Sequence, residues 1–408
     1  MNLRKLRISF FHGVKKILLT PERLWYTRIK TPSLVKQIRQ KDRISVLFVV
    51  FELASWKTES LYNKMLSHPR FSPELLVVPS LENREEIHRV EQYMEKQGYP
   101  FHRLKPGASI AKTLHPDIIF YQKPYDWCID KSLFFRRNLG SLFCYMSYCF
   151  RNTTKDFNQN SFFHNYAWQI YVENESVQSE MRSIMDNGAR NTIVTGLTVM
   201  DDLMKDKCCF PDPWKASGNR KRIIYAPHHT INNEEVNRST FLVFGEFMLQ
   251  MAEKYKDQVQ WAFKPHPLLR NKLEKKWGKE RTEAYYDKWS NLENSQYEQG
   301  EYLGLFKYSD AMIHDCGSFI LEYLYTQKPV MYLIQDRGLG EEVNEQTRRA
   351  FDVHYHGGGF REVESFIEMV IKGEDGMKEV RESFWRTHLV PPGGGNVSDH
   401  IIQTILEY

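Results

Sequence analysis

Two successive α/β domains, each a doubly wound parallel sheet and the pair facing one another across a cleft, are the fold that the sequence predicts. Three observations lead there. At 408 residues the chain is too long for one hydrophobic core and long enough for two domains of about 150–200 residues each. From Arg43 onward, short β-rich apolar runs alternate with longer amphipathic stretches, which is the pattern of βα units. Between the two series lies residues 205–220, where Pro211, Pro213, Ser217 and Gly218 stand among charges with neither period, so this stretch reads as a linker.

Residues 1–42 form a basic, amphipathic first segment. Over residues 1–30, Arg4, Lys5, Arg7, Lys15, Lys16, Arg23, Arg28 and Lys30 face a single acid, Glu22, and are interleaved with Phe10, Phe11, Leu18, Leu19, Trp25 and Tyr26. Residues 43–204 make the first domain. Its strands are read at Ile44–Phe51, Leu75–Val78, Asp117–Tyr121, Leu142–Phe150, Trp168–Val172 and Thr192–Val194, with helices at Lys57–Ser67, Glu82–Gln97 and Ser176–Asn187, the last stopped by Gly188. Residues 221–408 make the second. Strands are read at Arg222–Ala226, Val259–Lys264, Ala311–His314 and Val330–Ile334, and helices near Phe241–Tyr255, Leu268–Trp289, Phe319–Gln327 and Val363–Ile371. Gly357–Gly359 and Pro391–Gly395 read as loops.

Composition removes several classes of function. With 41% hydrophobic and 26% charged residues the chain must build real cores, which excludes a disordered or collagen-like protein. A net charge of +5 announces no nucleic-acid partner. The longest apolar run, Ile44 to Phe51, is far short of the ~20 residues that span a bilayer, and nothing ahead of it resembles a cleavable signal, so a cytosolic location is expected. The cysteines, six in all, show no paired spacing and read as reduced thiols.

Three strand ends carry the chemistry. In YSDAMIHDCGSFILEYLYTQKPVMYL a strand runs into Asp315-Cys316-Gly317-Ser318 and then a helix, so that first-turn amides, the close approach permitted by Gly317 and the Ser318 hydroxyl can receive a phosphate. The plainer reading is a helix capped by Ser318 or Asp315. In VQWAFKPHPLLR, prolines on both sides hold His266 at the strand's carboxyl edge, where it can donate to a phosphoryl oxygen or leaving group, with Lys264 and Arg270 supplying charge. In RIIYAPHHT a third strand ends at Pro227, His228 and His229. His228, His229 and His266 invite comparison with zinc sites, but no Cys or carboxylate stands at a supporting short spacing, so contacts to phosphate are expected in place of a metal. The expected donor-binding set is Pro227, His228, His229, Lys264, Arg270, Asp315, Gly317, Ser318 and Glu322, without metal or cofactor.

In their order and spacing YAPHH, FKPHP and SDAMIHDCGSFILEYLYTQKPVMYL resemble the carboxyl-terminal half of the CDP-glycerol glycerophosphotransferase family, the teichoic-acid-type transferases and their capsule relatives. The likeness is most specific from Ile223 to Leu333 and continues more weakly back through FFHNYAWQIYVEN and VTGLTVMDDL. It implies a GT-B-like pair of Rossmann-type domains, the second binding CDP-glycerol or a similar donor, with His266 beside the pyrophosphate and Gly317 and Ser318 receiving phosphates. An acceptor hydroxyl on a lipid-linked molecule or cell-surface glycan would attack the β-phosphorus and release CMP. The basic first segment would hold the enzyme on the inner face of the cell membrane.

The chain also departs from that family. His228-His229-Thr230 stands where members carry Thr-Trp-Arg, and Gly196-Leu197-Thr198-Val199 where they carry Gly-x-Pro-Arg, so two arginines are missing. The Trp-His-Gly-Thr-Pro motif that holds the family's base is replaced by FCYMSYCFRN. His164, Asp126 and Glu52 are the remaining candidates for the base, with Tyr145–Arg151 lining the acceptor side. Two other readings stay open: a GT-B glycosyltransferase using a nucleotide sugar, and a non-catalytic relative that keeps the nucleotide site.

Overall fold

The computed structural model describes residues 19–81, 84–104, 110–125, 130, 133–154, 159–215, 218–231, 239–334, 339 and 343–407. The chain divides into two compact units, the first made of Met1–Cys149, Lys155–Asp201 and Pro391–Tyr408, the second of Phe150–Thr154 and Asp202–Val390.

The first unit is a seven-stranded sheet of β1 (Ile44–Val50), β2 (Phe71–Val77), β3 (Phe101–His102), β4 (Ile118–Tyr121), β5 (Leu142–Met146), β6 (Gln169–Val172) and β7 (Thr192–Val194), in the order β3-β2-β1-β4-β5-β6-β7. Every pairing is parallel. Strands covered by helices on both faces must be apolar on both, and β1 answers with ISVLFVV, buried almost throughout. The second unit repeats the scheme with β8 (Lys221–Ala226), β9 (Val259–Phe263), β10 (Ser295–Tyr297), β11 (Ala311–His314), β12 (Val330–Leu333) and β13 (Tyr355–Gly357), ordered β10-β9-β8-β11-β12-β13 and again all parallel. Trp261 and Trp289 lie fully buried in its core, among Phe241, Phe263, Tyr285 and Ile313.

Six elements differ from the sequence reading. The edge strands β3, β10 and β13 have two or three residues each and bond on one side only, too short to show a period. The single helix expected over Leu268–Trp289 is two, Leu269–Trp277 and Lys279–Asn291, because Gly278 takes φ +87°, which a side chain opposes. The helix expected over Phe319–Gln327 is α-helical only at Phe319–Glu322 and tightens to 3-10 over Tyr323–Thr326. The stretch read as a linker is fastened to the second unit: Trp214 is buried and its indole donates to the Leu305 carbonyl at 3.2 Å, while the Lys215 amide donates to Gln296 at 2.8 Å.

The final helix, Val397–Glu407, belongs with the first unit, although residues 221–408 read as one domain. Asp201 explains the return. Its carboxylate accepts the Val397 amide at 2.7 Å, the Ser398 amide at 3.0 Å and the Ser398 hydroxyl at 2.6 Å, so it serves the open amides at that helix's start. Gly196 permits the approach, since a Cβ there would lie 2.9 Å from both Met200 Sδ and Val397 Cγ2.

The basic start of the chain through Leu18 lies outside the described residues. Beyond it, Tyr26 is fully buried with its hydroxyl on the Ser141 carbonyl at 2.6 Å, and Arg136 grips Glu22 through two bonds of 2.7 Å. Trp25 and Ile29 are exposed on the same turn of helix. Among the described residues no helix is long and apolar enough to cross a membrane.

Candidate functional site

In an open parallel sheet the place where strand order reverses leaves a crevice at the carboxyl edge, because the connections on either side turn to opposite faces. In the second unit that place is between β8 and β11. His228 follows β8 by two residues, Asp315 follows β11 by one, and His266 follows the neighbouring β9 by three. Topology thus gathers the three strand-end motifs.

Asp315 is the hub. Fully buried, it accepts the His228 amide at 2.5 Å through Oδ1, and the Thr240 amide at 2.5 Å and Thr240 hydroxyl at 2.9 Å through Oδ2. It therefore ties β11 both to the Pro-His-His turn and to the start of the helix Phe241–Lys254. Burial raises its carboxyl to about 6, against the pull of these donors. Expected from the sequence among the donor-binding residues, Asp315 has both carboxylate oxygens engaged by donors inside the protein. Behind it, His314 accepts the Cys316 amide on Nδ1 at 3.1 Å and sets the direction of the turn.

The histidines converge. Ring centroids lie 4.3 Å apart for His228 and His229, 4.2 Å for His229 and His266, and 5.2 Å for His228 and His266. The His266 amide donates to the Pro227 carbonyl at 3.0 Å, which binds the two turns together. A nitrogen from each ring lies within 4.8 Å of the others, a spacing that a cation would accept. One of the three rings is set as a donor. His266 Nδ1 accepts the Leu268 amide at 3.1 Å, so in the neutral ring the proton sits on Nε2, which donates. Burial, His229, Lys272 and Lys264 together lower His266 to about 3, so it is a neutral donor at ordinary pH.

The remaining donor-side candidates are distributed unevenly. Ser318 makes no capping bond with its side chain, and its hydroxyl lies 3.7 Å from Cys316 Sγ beside the buried Gly317. The helix that follows is too short for its dipole to act, so the turn's contribution is individual amides and the hydroxyl. Lys264 is buried and gives its ammonium to the Gly300 carbonyl at 2.8 Å. Arg270 stacks over Tyr286 at 5.2 Å and reaches Glu274 at 3.4 Å. Glu322 is buried and accepts the Tyr302 hydroxyl.

Of the base candidates, Asp126 lies outside the described residues. His164 is 0% exposed, with Nδ1 at 2.7 Å from the Ser161 hydroxyl and its ring against Tyr145 at 4.8 Å, which is a packed histidine. Glu52 stands where the first sheet reverses, between β1 and β4, bonded to Lys123 at 2.7 Å and to the Ser80 hydroxyl at 2.9 Å. Thr240 and His314 were not legible as parts of the site, since nothing in a lone Thr or in a strand-terminal His marks it.

Residues 149–407 match the family described as CDP-Glycerol:Poly(glycerophosphate) glycerophosphotransferase. No curated protein matches the chain. Among solved structures, a variant of the wall teichoic acid polymerase TagF is similar with a TM-score of 0.58 and 13% identity, over 100% of this chain and 98% of that one. A putative UDP-N-acetylglucosamine 2-epimerase from Listeria monocytogenes has a TM-score of 0.58 and 13% identity, over 89% and 96%. The UDP-GlcNAc 2-epimerase from Neisseria meningitidis, bound to UDP-GlcNAc, has a TM-score of 0.55 and 16% identity, over 90% and 100%. At such identities the likeness carries the fold, a GT-B-like α/β architecture.

Proposed function

Because the chain belongs to the CDP-Glycerol:Poly(glycerophosphate) glycerophosphotransferase family, we propose that it moves glycerol phosphate, or a related polyol phosphate, from a CDP-activated donor to a hydroxyl of a lipid-linked molecule or cell-surface glycan. The observation that supports this reading is the convergence of His228, His229 and His266 at the crevice between β8 and β11, where Asp315, just ahead of the Gly317-Ser318 turn, accepts the His228 amide. These groups donate hydrogen bonds and approach closely, which is what a diphosphate requires.

The acceptor oxygen forms a bond to the β-phosphorus, the bond from that phosphorus to the bridging oxygen breaks, and CMP leaves. The acceptor's proton passes to a base. Charge accumulates on the phosphoryl oxygens, so positioned donors supply most of the catalysis. His266 Nε2–H serves a phosphoryl oxygen, and Ser318 with neighbouring amides holds the other phosphate. Trp25 and Ile29, exposed beside Arg28 and Lys30, support a peripheral place on the inner membrane surface.

The likeness to an epimerase bound to UDP-GlcNAc favours one second reading, a glycosyltransferase that uses a nucleotide sugar. Incubation with a panel of CDP-polyols and UDP-sugars, scoring the nucleotide released, separates the two. CMP from CDP-glycerol is the expected result; UDP from a sugar donor, with CDP-glycerol inert, overturns it.

A further inference from the structure

We propose that one buried water molecule joins His314 to His354, and that His354, acting through this water, positions the Cys316-Gly317-Ser318 turn. The effect on donor binding rests on the reading of that turn as a phosphate site; the water itself does not.

Backbone groups cannot exchange the role of donor for that of acceptor, and they fix the proton on each ring. The Cys316 amide donates to His314 Nδ1 at 3.1 Å, so that nitrogen is bare and the neutral ring carries its proton on Nε2. His354, just ahead of β13, has the reverse arrangement. Its Nδ1 lies 2.7 Å from the Ala350 carbonyl, which only accepts, so Nδ1 holds the proton and Nε2 is bare. Both rings stay neutral. Burial lowers His314 to about 3, against the pull of the Cys316 bond, and burial, His314, Arg381 and His356 together hold His354 well below the ordinary imidazole value.

What remains is one donor, His314 Nε2–H, and one acceptor, His354 Nε2. Both are closed off from solvent: His314 is 0% and His354 1% exposed, and neither Nε2 has a hydrogen-bond partner among the described residues. A native interior rarely leaves two such groups side by side. The ring centroids lie 5.6 Å apart at 64°, a separation that a single water can bridge by accepting from His314 and donating to His354. Tyr332 stands edge-on to both rings, at 5.1 and 6.4 Å, and gives its own hydroxyl proton to the Asp315 carbonyl at 3.3 Å.

The bridge selects a tautomer. Were the His314 proton on Nδ1, the ring would meet the Cys316 amide donor to donor and the turn would lose its hold. Holding that proton on Nε2 keeps Nδ1 an acceptor, and the far end of the link is anchored on the helix Glu345–Phe351, which supplies Ala350. His354 is thus a positioning residue, acting on the turn through His314.

Nitrogen-15 spectra of the full chain labelled at histidine, assigned with His314→Asn and His354→Gln, read the tautomers. Expected are Nε2–H on His314, Nδ1–H on His354 and a cross-peak from the His314 Nε2–H to water. A scalar coupling between the two Nε2 nitrogens would mean a direct bond and overturn the water, as would a missing cross-peak or a proton on His314 Nδ1. For the turn, His354→Phe should speed exchange of the Cys316 amide and weaken the Kd for CDP-glycerol, each about 5-fold, with kcat little changed. His354→Gln, which keeps an acceptor, should restore most of both. In a His314→Asn chain His354→Phe should add nothing, because the link is already cut, whereas lost packing would add in full. Full additivity, or Cys316 exchange indifferent to His354→Phe, overturns the positioning role. Faster Cys316 exchange in a protein that binds no CDP-glycerol supports the positioning and overturns the donor reading instead.

Discussion

Both sheets reverse their strand order at a single crevice, between β1 and β4 in the first unit and between β8 and β11 in the second, yet the two crevices are furnished differently. In the first, Glu52 is bonded to Lys123 and Ser80, an acid and a base satisfying one another. In the second, the acid Asp315 is consumed by backbone and hydroxyl donors, and the imidazoles remain grouped above it. The same topology thus yields one crevice whose polar groups are mutually paired and another whose donors are gathered on one spot. What distinguishes them is where the carboxylate lies: beside the crevice's cation in one, beneath its donors in the other.

The sharpest way to break this contrast is to remove a donor from the second crevice. His266→Ala should lower turnover by roughly 10²–10⁴-fold, in steady-state assays with CDP-glycerol, while Glu52→Gln in the first crevice should cost less. Equal losses in both would mean that the paired crevice is chemically as active as the other.

Next in size is the hub. Asp315→Ala leaves three donors, two of them buried, without their acceptor and should cost about 3 kcal/mol of stability in urea melts, with CDP-glycerol binding lost. Asp315 also predicts a pH dependence. Its folded carboxyl is raised to about 6 from the ordinary 3.8, so the folded state holds the proton more tightly. Its contribution is full below the ordinary value and lost as pH rises through about 6. The stability difference between the native chain and Asp315→Asn should shift across that interval, and a flat difference would show that the donors hold the carboxylate ionised throughout.

Smaller again is Asp201→Ala, which should lower the stability of the first unit by about 2 kcal/mol through the loss of a helix cap, with CDP-glycerol affinity unchanged. A parallel loss of affinity would show that the units do not respond independently. The smallest effect is expected at His314. His314→Leu removes the acceptor of the Cys316 amide and should raise the KM for donor about 10-fold with little change in kcat, and His314→Asn, which keeps an acceptor at that position, should restore most of it.

How much of this was legible beforehand follows from how each residue does its work. Ile44–Val50 and Val259–Phe263 announced themselves because buried parallel strands need near-continuous apolar runs, broken here only by Ser45 and Gln260. Ser295–Tyr297 did not, since an edge strand of three residues needs no such run. The Pro-His-His, Lys-Pro-His-Pro and Asp-Cys-Gly-Ser turns were legible as strand ends, and topology alone brought them together. The directions of their side chains were not: Lys264 turns to the Gly300 carbonyl, Glu322 to Tyr302, and Asp315 inward to Thr240. Sequence order also misplaced Val397–Glu407, whose partner Asp201 lies nearly half the chain away.

That returning helix has a consequence for shortened versions of the protein. Ending the chain after Val390 would trim the end of the half that reads as nucleotide-binding. The residues lost would nevertheless come from the first unit, which would surrender the contacts of Asp201 with Val397 and Ser398 and the pairing of Lys64 with Asp399. Limited digestion near Pro391–Gly395 should accordingly loosen the amino-terminal sheet, and a natural nonsense mutation in codons 391–408 would be a lesion of the unit encoded first.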